Sequence, residues 1–289
     1  MILNYFQKRS YLGNLHSSFR CDEACSRPGC THPDMQIPVS VFDVMGVAAH
    51  RNEPVQEVFR SNYYLGVLER EGFDWIKSVS VKLRKPCPFF QCRQCSIYEF
   101  RPLCCMLFPE HQALAGALKT LAAQSHYRDY LCLRTPFSVP KQRVRAINTL
   151  WQLYEKERLV SDRYLFDRSP FLIDFGNCVE ELVKHSHGAA HQRHDTKADS
   201  GIIVPLASFE LLFSKTFAHC TPFAKLEERI RGLAEELKRE ELISDLNDPN
   251  LAKSLAYRDS DRSDVHRYVN GKLHVRKQSL VPFETMLIW

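Results

Sequence analysis

The sequence has no run of about 18 apolar residues, so no segment reads as a membrane-spanning helix. Its start, Met1 to Arg20, lacks a basic stretch followed by an apolar run and a small-residue cleavage site, and no secretory leader is expected. There is no Gly-rich phosphate loop, no Gly-x-Ser-x-Gly elbow and no His-Glu-x-x-His pair, which leaves nucleotide cradling, serine hydrolysis and metalloprotease chemistry without their motifs. There is also little excess of one sign of charge. The net charge of +5 is small, and the basic runs Lys82-Leu83-Arg84-Lys85 and Lys141-Gln142-Arg143-Val144-Arg145 are short and mixed with apolar residues. Both read as solvated faces, with no clear nucleic-acid signal. No internal repeat is found.

What the sequence does have is cysteine. With no membrane span and no leader, the expected location is the cytoplasm, where thiols stay reduced. Eleven cysteines in such a compartment read as metal ligands, redox thiols or buried small hydrophobes rather than disulfides. Eight of them lie between residues 21 and 105, while Cys132, Cys178 and Cys220 are scattered. This asymmetry predicts a cysteine-cluster metal-binding domain over residues 1–140 and a mainly helical region of unknown role over 141–289. The break falls where Pro136 and Pro140 interrupt the chain.

Hydrophobic residues make up 44% of the chain, enough to build a sizeable core. Ser40 is placed to cap a helix over Val41–Ala49, with Asp43 near its positive end. Pro54 suits the first turn of a second helix running to about Glu71. Val79, Val81 and Leu83 alternate with polar residues and predict a strand leading into Cys87. Gln112 to Gln124 reads as a helix.

Further on, helices are expected over Lys141–Arg158, Gly176–Lys184, Leu206–Ala218 and Pro222–Ile243. In the last of these, Thr221 is the N-cap and Leu226, Ile230, Leu233 and Leu237 form one stripe. Asn270-Gly271 inside Arg267–Val275 predicts a β-hairpin. The fold class that follows is α+β and predominantly α: a metal-stapled module of short helices, then a mainly helical region ending in a hairpin. His185, His187, His191 and His194 fall in a polar stretch that reads as a loop.

The cysteines form three groups: Cys21, Cys25 and Cys30; Cys87, Cys92 and Cys95; and the adjacent Cys104 and Cys105. Neighbouring thiolates repel unless a cation neutralises them. Zinc does this while holding each sulfur at about 2.3 Å. Short spacings let pairs turn toward one ion, distant groups complete the shell, and the binding energy becomes folding energy. All eight are candidate metal ligands. His32, two residues after Cys30, is a candidate nitrogen ligand. Arg101 is placed to pair with Glu99 or to offset thiolate charge, Pro102 to stiffen the approach to Cys104 and Cys105, and Phe108 to exclude water.

The stretch Cys95-Ser96-Ile97-Tyr98-Glu99-Phe100-Arg101-Pro102-Leu103-Cys104-Cys105-Met106-Leu107-Phe108-Pro109 resembles the C-x-I-Y-E-x-R-P-x-x-C-R-x-F-P signature of the CxxCxxCC, or YkgJ-like, cysteine-cluster family. Cys87-Pro88-Phe89-Phe90 and the segment Ile37 to Val47 are similar to further elements of that family. The resemblance covers about residues 18–110 and extends toward Cys132. It implies a zinc- or iron-chelating role and places Cys21, Cys25, Cys30, Cys87, Cys95 and Cys105 at the family's cysteine positions. Cys92 and Cys104 are additional, and Met106 stands where the family carries Arg.

Two alternatives to plain metal holding remain open. Cysteine-only ligation would also suit an iron–sulfur redox protein, although the Cys-x2-Cys-x2-Cys spacing of ferredoxins is absent. The resemblance further implies a group-transfer enzyme related to lysine N-methylases, for which no methyl-donor motif is present. Separately, Cys92 and Cys104, the two cysteines outside the family pattern, are candidates for a catalytic thiol.

Overall fold

In the computed structural model the described residues are 2–17, 19, 23–33, 35–70, 73–116, 118–123, 127, 129–134, 137–166, 172–174, 202–204, 226–248, 262–269 and 272–279. The protein is a predominantly helical α+β structure. No helix among the described residues is long and apolar enough to cross a membrane.

The helical core is built on α1 (Ile2–Asn14), α3 (Val41–Arg51) and α9 (Lys141–Phe166). Helix α3 starts as its sequence dictates. Ser40 accepts from the Asp43 N–H while the Asp43 carboxylate accepts from the Ser40 N–H, a reciprocal capping box. Val41, Phe42, Val44 and Val47 are 0% exposed, so this helix is apolar nearly all round and sits in the middle of the core. Phe6 of α1 packs against Gly46 so closely that a Cβ there would meet its ring at 3.1 Å. Leu159, Val160 and Leu165 of α9 join the same core, as do Ile230, Leu233, Leu242 and Ile243.

Three expected elements come out differently. The helix from Pro54 ends at Asn62 (α4, Val55–Asn62), and Tyr63–Arg70 is strand β2. Tyr63 and Tyr64 favour extended backbone while Gly66 weakens a helix, and β2 pairs antiparallel with β3 (Phe73–Leu83), Tyr63 opposite Leu83. The helix of Gln112–Gln124 is two helices, α6 (Glu110–Leu114) and α7 (Leu118–Ala123), because Gly116 at φ 69° breaks the helical path. The long helix ending at Ile243 is α10 (Leu226–Gly232) and α11 (Glu236–Asp245), interrupted at Gly232. That break rotates the stripe, so Ile230 and Leu233 are buried while Leu237 is 80% exposed.

The strand leading into Cys87 is the end of β3, which also carries the short β1 (Ile37–Pro38) against Leu83 and Lys82. Backbone pairings extend the sheet to Leu172–Asp174, Ile202–Val204, Arg262–Val269 and Lys272–Ser279. The predicted turn at Asn270-Gly271, the helices over 176–184 and 206–218, and the four clustered histidines lie outside the described residues.

The two basic runs are not simply solvated faces, since Lys82 and Arg143 are each 0% exposed. Arg143 donates to Glu110 at 2.9 Å and to the carbonyls of Leu12, Gly13 and Leu15 at 2.9 Å each. A buried guanidinium so fully satisfied closes the C-terminal end of α1 and ties it to α6 and α9. A second buried network joins Arg9 to Asp43 and Glu157. Glu157 accepts from the Tyr5 hydroxyl at 2.5 Å and the Ser40 hydroxyl at 2.9 Å. Burial, only partly offset by Arg9 and reinforced by the charge of Asp43, pushes the Glu157 carboxyl up to about 7.

Candidate metal centre

The cysteines sit on short, irregular pieces of chain that the core holds in place. Cys104 and Cys105 lie on α5 (Leu103–Leu107), which begins after Pro102. The Leu103 N–H at its start donates to Asp43 at 3.2 Å, so the carboxylate that caps α3 also anchors the helix of these two cysteines. Leu103, Met106 and Leu107 turn inward at 0–2% exposure, and the two cysteines are half-buried beside them.

Cys30 lies on the one-turn helix α2 (Pro28–Thr31), and the Cys87 N–H donates to the Cys30 carbonyl at 2.7 Å. That single bond joins the first and second groups across more than fifty residues. The Lys85 ammonium donates to the Gly29 carbonyl beside it. Cys25 is buried and its sulfur accepts from the Arg27 N–H at 3.4 Å.

Cys95 and Cys92 belong to one tight hairpin, β4 (Phe90–Gln91) and β5 (Gln94–Cys95). Cys92 and Arg93 form its turn, with φ 48° and 62°, the left-handed pair that a two-residue hairpin loop requires. Cys95 is therefore set back at the base of the hairpin, opposite Phe90, while Cys92 is exposed at its tip.

Cys25, Cys30, Cys87, Cys95, Cys104 and Cys105 all line one cavity of about 480 Å³. Cys132, on α8 (Leu131–Arg134), lines it too, although in sequence it stands among the scattered cysteines. Cys92 and the half-buried His32 are not in the lining, and Cys21 lies outside the described residues. None of the described cysteines is in a disulfide.

The thiols feel one another. Burial first, then the charges of Cys105 and Cys87, push Cys30 up to about 12, with Lys85 pulling the other way. Burial likewise pushes Cys95 up to about 11, against the Ile97 backbone hydrogen bond and with Cys105 and Cys87 adding to the rise. Cys87 is raised mainly by burial. Cys105 is driven well above the ordinary thiol value by its hydrogen bond with Cys104 and then by burial. Such a set ionises only if a cation arrives to compensate the charge.

Arg101 does not pair with Glu99, which accepts from Ser10 and Asn14. It donates instead to the Tyr98 carbonyl at 2.6 Å, stacks over the Tyr98 ring at 3.9 Å, and lines the cavity, where its charge favours ionised Cys95 and Cys105. Phe108 is in the lining as well, edge-on to Tyr130 at 5.2 Å.

Among the described residues no three His, Cys, Asp or Glu side chains stand close enough together to hold an ion as they are placed. Binding would have to draw the sulfurs inward. The donor chemistry nevertheless suits a soft or borderline cation, being rich in thiols gathered on one cavity. A further sign lies next to them. The Tyr63 hydroxyl is buried with no hydrogen-bond partner among the described residues. Burial first, then the charges of Asp43, Cys87 and Cys105, hold it protonated, so it is a donor without an acceptor. Neither Tyr63 nor Lys85 carries a motif in the sequence, and only their spatial neighbours give them a place in the site.

Half-buried cysteines from distant stretches on a common cavity define a cysteine-cluster protein. Residues 19–133 are similar to the CxxCxxCC family, described as "Putative zinc- or iron-chelating domain". The match takes in every cysteine of the cavity lining, Cys132 included. No curated protein and no solved structure matches the chain.

Proposed function

We propose that residues 1–140 form a metal-binding domain that holds zinc or iron through thiolates drawn from Cys25, Cys30, Cys87, Cys95 and Cys105. Cys104 is an adjacent sulfur able to replace Cys105, and Cys21 completes the first group. The observation that carries this reading is the shared cavity wall, with Cys87 bonded to Cys30 across the long intervening loop. Bound metal supplies the positive charge that lets these buried thiols ionise. The chain's own residues do the rest. Asp43 holds α5, Lys85 and Arg101 offset residual thiolate charge, and the Tyr63 hydroxyl gains an acceptor in an ionised Cys87 or Cys105. A cytoplasmic setting, where thiols stay reduced, suits this reading. Residues 141–289 contribute α9, which packs against α1, α3, α5 and α6 and so backs the domain.

A second reading, an iron–sulfur cluster, draws on the number of thiols in the lining, which exceeds the four such a cluster takes. One experiment separates the outcomes. Full-length protein purified without oxygen is expected to carry near-stoichiometric metal by elemental analysis, and the double variant C87S/C105S less than half of that. Colourless zinc protein selects the first reading. Visible absorption bleached by dithionite selects the second. Folded wild-type protein devoid of both metals would falsify each.

A further inference from the structure

The cavity that the cysteines line also carries positive charge. Arg27, Lys85 and Arg101 all line it, and among the described residues none of the three pairs with a carboxylate. The one acid among the described residues of the lining, Glu110, is already bonded to Arg143. Arg101 is 9% exposed, and Arg27 and Lys85 are half-buried. Arg101 donates to the Tyr98 carbonyl and the Asn14 side chain, and Lys85 to the Gly29 carbonyl, all of them neutral acceptors. Charge withdrawn from water with only neutral partners is costly, and a counter-ion relieves that cost. The three cations also bear on a common space. Lys85 is fixed at Gly29, two residues from Arg27, and Lys85 and Arg101 both act on the Cys105 sulfur. Three polar atoms of the same lining, Arg27 Nε, Gln36 Oε1 and Gln112 Oε1, are buried with no hydrogen-bond partner among the described residues. A glutamine amide turned over presents N–H donors in place of its oxygen.

We infer that this cavity binds a small organic anion, a carboxylate on a flat apolar body, whose charge is held by Arg27, Lys85 and Arg101. A guanidinium presents its N–H donors as a planar fork that matches a carboxylate, and charge-assisted bonds of this kind are the strong ones. The rest of the cavity favours a ring. At about 480 Å³ it has the size of a small-molecule site, and Tyr130, Trp151 and Tyr154 line it. The inference goes beyond the metal-binding reading and does not need it. The cations and the cavity belong to the arrangement in which no three described donors stand close enough to hold an ion. The two ligands exclude one another. Drawing the sulfurs together around a metal takes up the space of the anion, and Lys85 and Arg101 then offset thiolate charge instead.

The test uses the full-length chain kept reduced, treated with a chelator and desalted, with binding followed by calorimetry. Benzoate and benzamide share a ring and differ in charge, while acetate keeps the charge and lacks the ring. Benzoate is expected to bind at least about tenfold tighter than either. Arg27→Gln is expected to weaken benzoate at least about tenfold with helical circular dichroism unchanged. If R27Q does not accumulate, Arg101→Gln carries the same expectation. One equivalent of zinc is then expected to release the benzoate, and benzoate to weaken zinc uptake by the same factor. Equal affinity for benzoate and benzamide, or no benzoate binding by a chain that keeps its helical signal, overturns the anion site. Loss of the helical signal on chelation overturns it too, because the anion needs a folded cavity. Benzoate held as tightly with zinc bound overturns the mutual exclusion. A chain that binds benzoate and takes up no zinc overturns the metal reading and leaves the anion site standing.

Discussion

The helical core and the cysteine-bearing segments are held by different means. Helix α3 buries Val41, Phe42, Val44 and Val47 completely, and its place is set by apolar area spread over many contacts. The cysteines ride on pieces of two to five residues, namely α2, β4, β5 and α5, too short to be stable by themselves. Their positions depend on a few directional bonds reaching across from the core: Asp43 to the Leu103 N–H, Cys30 to the Cys87 N–H, Lys85 to Gly29. The difference teaches that the candidate metal site is an extension of the core's polar network. Removing a bond there should damage the site more than removing a methyl group from the core.

The largest break in this comparison is expected from Asp43→Ala. Asp43 is 1% exposed and serves Arg9, the cap of α3 and the start of α5 at once. Its loss leaves a buried guanidinium without that partner and two backbone donors unmet, a cost on the order of 3–5 kcal/mol in urea unfolding. Metal content should fall with it, because α5 loses its anchor. A destabilised D43A protein that still holds full metal would show the two regions to be independent.

A smaller effect comes from Glu157. Its carboxyl titrates near the ordinary 4.5 when unfolded and at about 7 when folded, so the folded state binds the extra proton between those values. Its contribution to stability is therefore complete below about pH 4.5 and is lost as pH rises through about 7. Wild type relative to Glu157→Gln should lose on the order of 2 kcal/mol across that window, read from unfolding curves at stepped pH. A flat difference would mean that Arg9 neutralises Glu157 fully at every pH.

The smallest effect is at the hairpin tip. Cys92→Asn suits the left-handed turn better and should stabilise by up to about 0.5 kcal/mol, with unchanged metal content by elemental analysis. Loss of metal in C92N would move Cys92 into the ligand shell and the whole hairpin with it.

Much of this was legible in the residues themselves. The Ser40–Asp43 cap, the strand ending in Leu83 and the family resemblance around Arg101-Pro102-Leu103-Cys104-Cys105 all depend on local pattern, and the structure or the family match bears them out. The second helix is shorter than its spacing predicts, because Leu65 and Leu68 continue a helical spacing that strand pairing overrides. The burial of Lys82 and Arg143 was not legible, since a cation's exposure depends on partners far along the chain.

Sequence by itself determined which sulfurs were available and in what groups, because spacing and turn chemistry act over a few residues. Tertiary structure alone decided which of them look into the same space. A left-handed turn sends Cys92 outward, the packing of α8 brings Cys132 to the cavity, and Tyr63 is left beside the cysteines with a hydroxyl to donate. Those outcomes are set by contacts between segments tens of residues apart, where burial and hydrogen bonding outweigh local preference.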